Sequence, residues 1–343
     1  MVPDEIRVRS EDSTPRTDAA RDNGITALRL FLALYILIVH AWPIGGFGRD
    51  PIDALTDGRL GGGGVIAVAA FFGLSGYLLA ASRRRQSPST FVLRRAARIF
   101  PAYGVLVVAT AMVVGHTYLS AAWFPVPGVG GITSLALQGR PSELVNASLW
   151  TLWPELCCYA LVALTPPGRL PRALPIVTLI LLLMALIAPE SSLALTIVFG
   201  PTSAFLVGVG IAVWHDRVPQ TWTLGLACVI VAFLSAGSLW GSIAVHVAFA
   251  YVAVLVGLRL RVRWRTDLSY GTYLFAFPIT QGIVAIGGAS LGPIPLAALT
   301  LAITLPLAAA SWHLVEAPAM RVSRRGMPAW LSGRRASEGT AQA

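Results

Sequence analysis

The chain is 343 residues long, 55% hydrophobic and 12% charged, where a soluble domain carries about 25% charged residues, so a soluble globular protein is excluded. The 26 basic residues are all arginine and the formal net charge is +10. These charges flank apolar runs and form no patch interleaved with aromatics, which argues for membrane topology rather than nucleic-acid binding.

In chain order, residues 1–22 are polar and mixed in charge, with Pro3 and Pro15. They lack the pattern of a signal peptide and read as a disordered cytoplasmic tail. Apolar runs of about membrane-spanning length follow, at 24–42, 61–81, 99–115, 148–164, 175–189, 194–214, 222–236, 242–260, 269–287 and 296–314. The fifth and sixth also read as one hairpin. The expectation is an all-α integral membrane protein: about ten transmembrane helices at 23–320, a basic cytoplasmic tail at 321–343, and the plasma membrane as location.

The arginines agree with that count. With the N-terminus inside, inner segments hold Arg7, Arg9, Arg16 and Arg21, then Arg83, Arg84, Arg85, Arg94, Arg95 and Arg98, then Arg169, Arg172 and Arg217. Arg259, Arg261, Arg263 and Arg265 follow, and the tail adds Arg321, Arg324, Arg325, Arg334 and Arg335. Outer segments hold only Arg49, Arg59 and Arg140. This bias fits the positive-inside rule and places both termini in the cytoplasm. The outer loops near 43–60 and 116–147 contain Asp50, Asp53, Asp57 and Glu143, read as solvated loop charge. Cys157, Cys158 and Cys228 lie in apolar runs and read as small buried residues, with no disulfide framework and no metal spacing.

The first span carries Arg29 near its start and His40 near its end. Eleven residues make about three helical turns, so the two share a face, separated by roughly 16 Å along the axis. They are either interface anchors or functional groups, since ionisable residues in a span are costly. The second span opens on four glycines, Gly61 to Gly64, and continues through Gly73, Ser75 and Gly76. Small residues there serve close helix packing or the approach of a ligand. Arg95 and Arg98 are three apart and share a face. Their guanidinium forks suit phosphate oxygens, and a topology signal or attraction to anionic lipid explains them as well.

Six stretches in order together resemble the integral-membrane acyltransferase-3 family. They are Arg29 with His40; Phe71-Phe72-Gly73-Leu74-Ser75-Gly76-Tyr77-Leu78; Phe91 to Pro101 with its arginines; Ser148-Leu-Trp-Thr-Leu-Trp-Pro-Glu155-Leu-Cys-Cys-Tyr159; Leu268-Ser-Tyr-Gly-Thr-Tyr-Leu274 with Pro278; and Glu316-Ala-Pro318. The resemblance covers about residues 23–320. It implies transfer of an acyl group, often acetyl, from acyl-CoA to a hydroxyl of a sugar-containing or glycolipid acceptor, with no metal. It implies donor contacts at Arg29, Arg95, Arg98 and Ser75, with His40 as general base and Glu155 orienting the imidazole or holding the acceptor. Two positions depart from the family pattern: Ala276 stands where many relatives have histidine, and Leu156 where many have a second carboxylate. Among the other histidines, His313 lies nearest a motif residue, Glu316; His116, His215 and His246 match no pattern. A transporter or flippase of an amphipathic solute explains the spans equally well, with less use for clustered arginines aligned with an embedded histidine.

Overall fold

The computed structural model describes residues 16–114, 146–187, 198–236, 238–262, 264 and 266–324. Glu143 and His116, most of the 116–147 loop and the tail beyond Arg324 lie outside them. Among the described residues the regular structure is helical, with no strand. The helices are α1 (Arg16–Gly45), α2 (Pro51–Leu55), α3 (Gly62–Arg83), α4 (Pro88–Val114), α5 (Leu152–Leu164), α6 (Leu170–Ile187), α7 (Gly200–Val213), α8 (Trp222–Leu234), α9 (Leu239–Arg259), α10 (Ser269–Ala285), α11 (Pro293–Ser311) and α12 (Ala317–Arg324). A 3₁₀ turn, Ala147–Thr151, leads into α5, and a π turn, Trp312–Glu316, joins α11 to α12.

The described residues of each apolar run lie mainly on one of these helices, and residues 115, 188–189 and 194–197 of the runs lie outside the described residues. Among the described residues, five segments are long and apolar enough to cross a membrane: Gly24–Gly45, Gly62–Arg83, Pro167–Ile187, Trp240–Arg259 and Pro293–Arg324. Leu149–Leu164, Gly200–Val213 and Trp222–Leu234 are apolar but shorter. Helix α1 begins at Arg16, inside the stretch read as a disordered tail.

The centre of the bundle is α3, packed against α1, α7 and α9. Its glycines divide into two groups with different work. At the inner group the backbones touch: a Cβ on Gly76 would lie 2.1 Å from the Phe205 carbonyl oxygen, and one on Gly208 would lie 1.9 Å from that of Gly73. Gly73 meets Ala250 of α9 in the same way, at 2.7 Å. These are close helix contacts that only small residues allow. The N-terminal glycines face side chains of α1 instead: a Cβ on Gly63 would meet the Tyr35 hydroxyl at 2.5 Å, and one on Gly64 the His40 ring at 3.0 Å.

The outer helices show the complementary pattern. In α6, Ile176, Leu179, Ile180, Leu183, Leu186 and Ile187 are exposed, and in α8 so are Leu226, Ile230, Val231 and Leu234. Helices with so much apolar surface outward are suited to lipid as solvent. Asp50 differs from a solvated loop charge. Its carboxylate caps α2 by accepting from the Ile52 and Asp53 amides at 2.9 and 3.0 Å, and it accepts the Gly63 amide at 3.1 Å. It thereby ties the loop to the start of α3.

Candidate active site

Arg29 and His40 face the interior of the bundle at different depths. His40 Nδ1 lies 2.8 Å from the carbonyl oxygen of Ile36, one turn earlier. A carbonyl only accepts, so the neutral ring carries its proton on Nδ1 and presents a lone pair at Nε2. Phe277 meets the ring edge-on, with centroids 6.2 Å apart. His40 lines a cavity of about 290 Å³ with Asp50, Trp150, His246, Tyr273 and Ala276. A second cavity of about 50 Å³ is lined by Arg29, Ser75, Thr151, Glu155, Ser269 and Tyr270. Val68 and Tyr273 belong to both walls, so the two cavities adjoin.

Four of the six residues singled out in the sequence therefore meet along one path: Arg29, Ser75 and Glu155 at the smaller cavity, His40 at the larger. Glu155 accepts a hydrogen bond from the Tyr159 hydroxyl. The imidazole of His40 is oriented by the Ile36 carbonyl, and Glu155 lies on the wall of the other cavity.

Arg95 and Arg98 are placed differently from each other. Arg98 donates to Glu316 at 2.9 Å and to Asp267 at 2.6 Å, and it packs between the rings of Tyr270 and Trp312 at 5.6 and 5.2 Å. Glu316 is wholly buried and also accepts from Ser311 Oγ at 3.0 Å. Asp267 takes a second cation, Arg29, at 3.4 Å, and a hydrogen bond from Ser269 Oγ at 2.5 Å. Burial alone pushes the Asp267 carboxyl up, but Arg98 and Arg29 outweigh it and hold it down at about 2. Arg95 lies over the Phe91 ring at 5.7 Å, and its buried Nε has no hydrogen-bond partner.

Residues 22–313 match the model of the family described as an acyltransferase domain, the acyltransferase-3 family. The chain belongs to this family. It is an O-acyltransferase. It is 29% identical over 329 residues to a protein named O-acetyl transferase from Shigella phage Sf6, covering 86% of this chain and 95% of that one. It is 28% identical over 359 residues to Nodulation protein 10 of Rhizobium leguminosarum bv. viciae, covering 88% and 94%. No solved structure matches it. Enzyme membership decides for group transfer over the transport alternative.

In this acyltransferase, Ala276 lies on the wall of the His40 cavity, so the side chain absent there leaves space. Leu156, by contrast, packs beside the apolar cluster around Leu152 and Leu274. Sequence reasoning passed over Asp267, held Tyr273 only as part of the late motif without a role, and matched His246 to no pattern. Asp267 stands one residue before the Leu268-Ser-Tyr-Gly-Thr-Tyr stretch, and that adjacency was its signal. His246 is a lone ionisable residue in an apolar run, a functional flag in its own right, but nothing local to α9 aims it at α1. Among the described residues, no group of three or more His, Cys, Asp or Glu could hold a metal ion.

Proposed function

We propose that this acyltransferase moves an acyl group, acetyl by preference, from acyl-CoA to a hydroxyl of a sugar-containing acceptor, with His40 as general base. Support comes from the two adjoining cavities, one walled by an arginine and the other by an imidazole whose Nε2 lone pair is set by a backbone hydrogen bond. A donor with a charged end and a distant reactive end suits that arrangement. The name of the phage relative, O-acetyl transferase, favours acetyl.

In the reaction, His40 Nε2 takes the proton of the acceptor hydroxyl as its oxygen attacks the thioester carbonyl. The tetrahedral intermediate collapses with cleavage of the C–S bond. The CoA sulfur leaves and takes up the proton held by the imidazolium, so the free enzyme is regenerated. No metal enters this scheme.

Ten spans with both termini cytoplasmic, in the plasma membrane, would let CoA phosphates reach the arginines from inside while the acceptor approaches His40 from the other face. Arg95, with its unpartnered Nε, is the first phosphate contact. Arg98 contributes charge from within its carboxylate cluster, and Arg29 and Ser75 line the route. Glu155 forms the polar wall opposite. The test is labelled acetyl-CoA supplied to membranes with and without the protein. Label gained by a carbohydrate or glycolipid fraction only when the protein is present supports the reading; label in no fraction overturns it.

A further inference from the structure

His246 is the second imidazole on the wall of the His40 cavity. It is 1% exposed. The two rings are built alike. His246 Nδ1 lies 2.8 Å from the Ser242 carbonyl oxygen, as His40 Nδ1 does from that of Ile36. Each neutral ring therefore keeps its proton on Nδ1 and offers a lone pair at Nε2. The His246 ring is seated against the backbone of α7: a Cβ at Gly200 would lie 2.5 Å from Cε1, 2.6 Å from Nδ1 and 2.8 Å from Nε2. Its position is fixed, and among the described residues no hydrogen-bond donor meets its Nε2. Most of the remaining wall is apolar, including Ile36, Val39, Val65 and Phe277. In such a cavity a few fixed polar groups set the orientation of what binds.

We propose that His246 Nε2 accepts a hydrogen bond from a second hydroxyl of the acceptor while His40 Nε2 takes the proton of the reacting one. The site then selects a polyol that offers two hydroxyls to one cavity, and a monohydric alcohol leaves the His246 lone pair unmet. This rests on His40 being the base. His246 is an acceptor-binding residue that determines specificity, and it takes no proton in the reaction.

The test uses the purified full-length protein, acetyl-CoA as donor, and four alcohols as surrogate acceptors: cyclohexanol, cis- and trans-1,2-cyclohexanediol, and cis-1,3-cyclohexanediol. Ester formation is read as kcat and KM for each. The wild type is expected to favour at least one diol over cyclohexanol by about tenfold or more in kcat/KM, since sites built to bond a hydroxyl discriminate against analogues lacking it. His246→Phe keeps a flat ring and loses the lone pair, while His246→Asn keeps a donor for the Ser242 carbonyl and has no atom where Nε2 stood. In either one that folds, the preference should fall to the statistical factor of about two carried by two equivalent hydroxyls. That fall should come through a diol KM raised by more than the cyclohexanol KM. His246→Gln, whose amide oxygen accepts, should restore part of it. No diol preference in the wild type, or a preference kept by His246→Phe or His246→Asn, overturns the role of His246 alone. No ester from any of the four alcohols overturns the acyl-CoA reading and this inference with it.

Discussion

Arg98 and Glu316 stand 2.9 Å apart although 218 residues separate them in the chain. With Asp267 they form a buried cluster in which two carboxylates share one guanidinium, and Arg29 reaches the same Asp267 from α1. The cluster pins α1, α4, the start of α10 and the π turn to one another beside the smaller cavity.

Removing Arg98 leaves Glu316 without a cation and weakens the hold on Asp267. Breaking a buried pair by deleting one partner costs about 3–5 kcal/mol. Arg98→Ala is therefore expected to lower folded yield and thermal stability in detergent. Arg95→Ala breaks no carboxylate pair, so it should fold as the wild type does and lose affinity for CoA. Arg95→Lys should recover that affinity only in part, because it keeps the charge and loses the fork. Thermal unfolding and direct CoA binding on both variants check this. Equal CoA affinity in Arg95→Ala and the wild type would return Arg95 to a topology signal.

The same cluster fixes a pH dependence. Asp267 is held at about 2 in the fold, below its ordinary value of 3.8. Its contribution to stability is thus complete above that ordinary value and is lost as pH falls from there through about 2. Unfolding midpoints measured from pH 6 to pH 2 should hold level for this contribution until near pH 4 and then drop, and Asp267→Asn should flatten part of that drop.

The glycine at the contact of α7 with α3 and the glycine at the start of α3 should fail in different ways. A side chain at Gly208 meets the Gly73 carbonyl oxygen at 1.9 Å, so Gly208→Val should separate α3 from α7 and reduce the amount of folded protein. Gly64→Ala places a methyl 3.0 Å from the His40 ring. It should fold and lose activity by tens of fold, since misplacing a reacting group by about 1 Å can cost about a hundredfold. Folded yield and turnover per folded molecule, measured on the pair, separate the two roles.

Topology gives a fourth check. Reporters fused at residues 88 and 343 should be cytoplasmic, and one at residue 130 external, from the arginine bias between inner and outer segments. An external reporter at residue 88 would remove the cytoplasmic donor route.

The helical class, the ten apolar runs and the shared face of Arg29 and His40 were legible because each depends on local periodicity. The two uses of the α3 glycines were not, because packing against Phe205 and room for His40 leave the same letter in the sequence. Arg98 reads as a phosphate ligand when only its neighbours in α4 are in view; its commitment to Glu316 and Asp267 depends on chain separated from it by 218 and 169 residues. Glu155 shows the same limit. Its place in a span makes it a candidate, and only the tertiary arrangement sets it on the wall of the cavity that Arg29 also lines. His246 stayed hidden because sharing a cavity with His40 depends on how α9 and α1 are arranged around α3.

The most direct measurement is turnover per folded molecule for wild type, His40→Ala and His40→Gln, each first shown to bind CoA. With His40 as the base, both variants should bind CoA as the wild type does and lose about a hundred- to ten-thousand-fold in rate, because an amide cannot take a proton near neutral pH. The wild-type rate should also fall as pH drops through the imidazole range, near 6.5 for an unperturbed ring. Near wild-type turnover in His40→Gln would contradict the mechanism and leave His40 as an anchor of the first span.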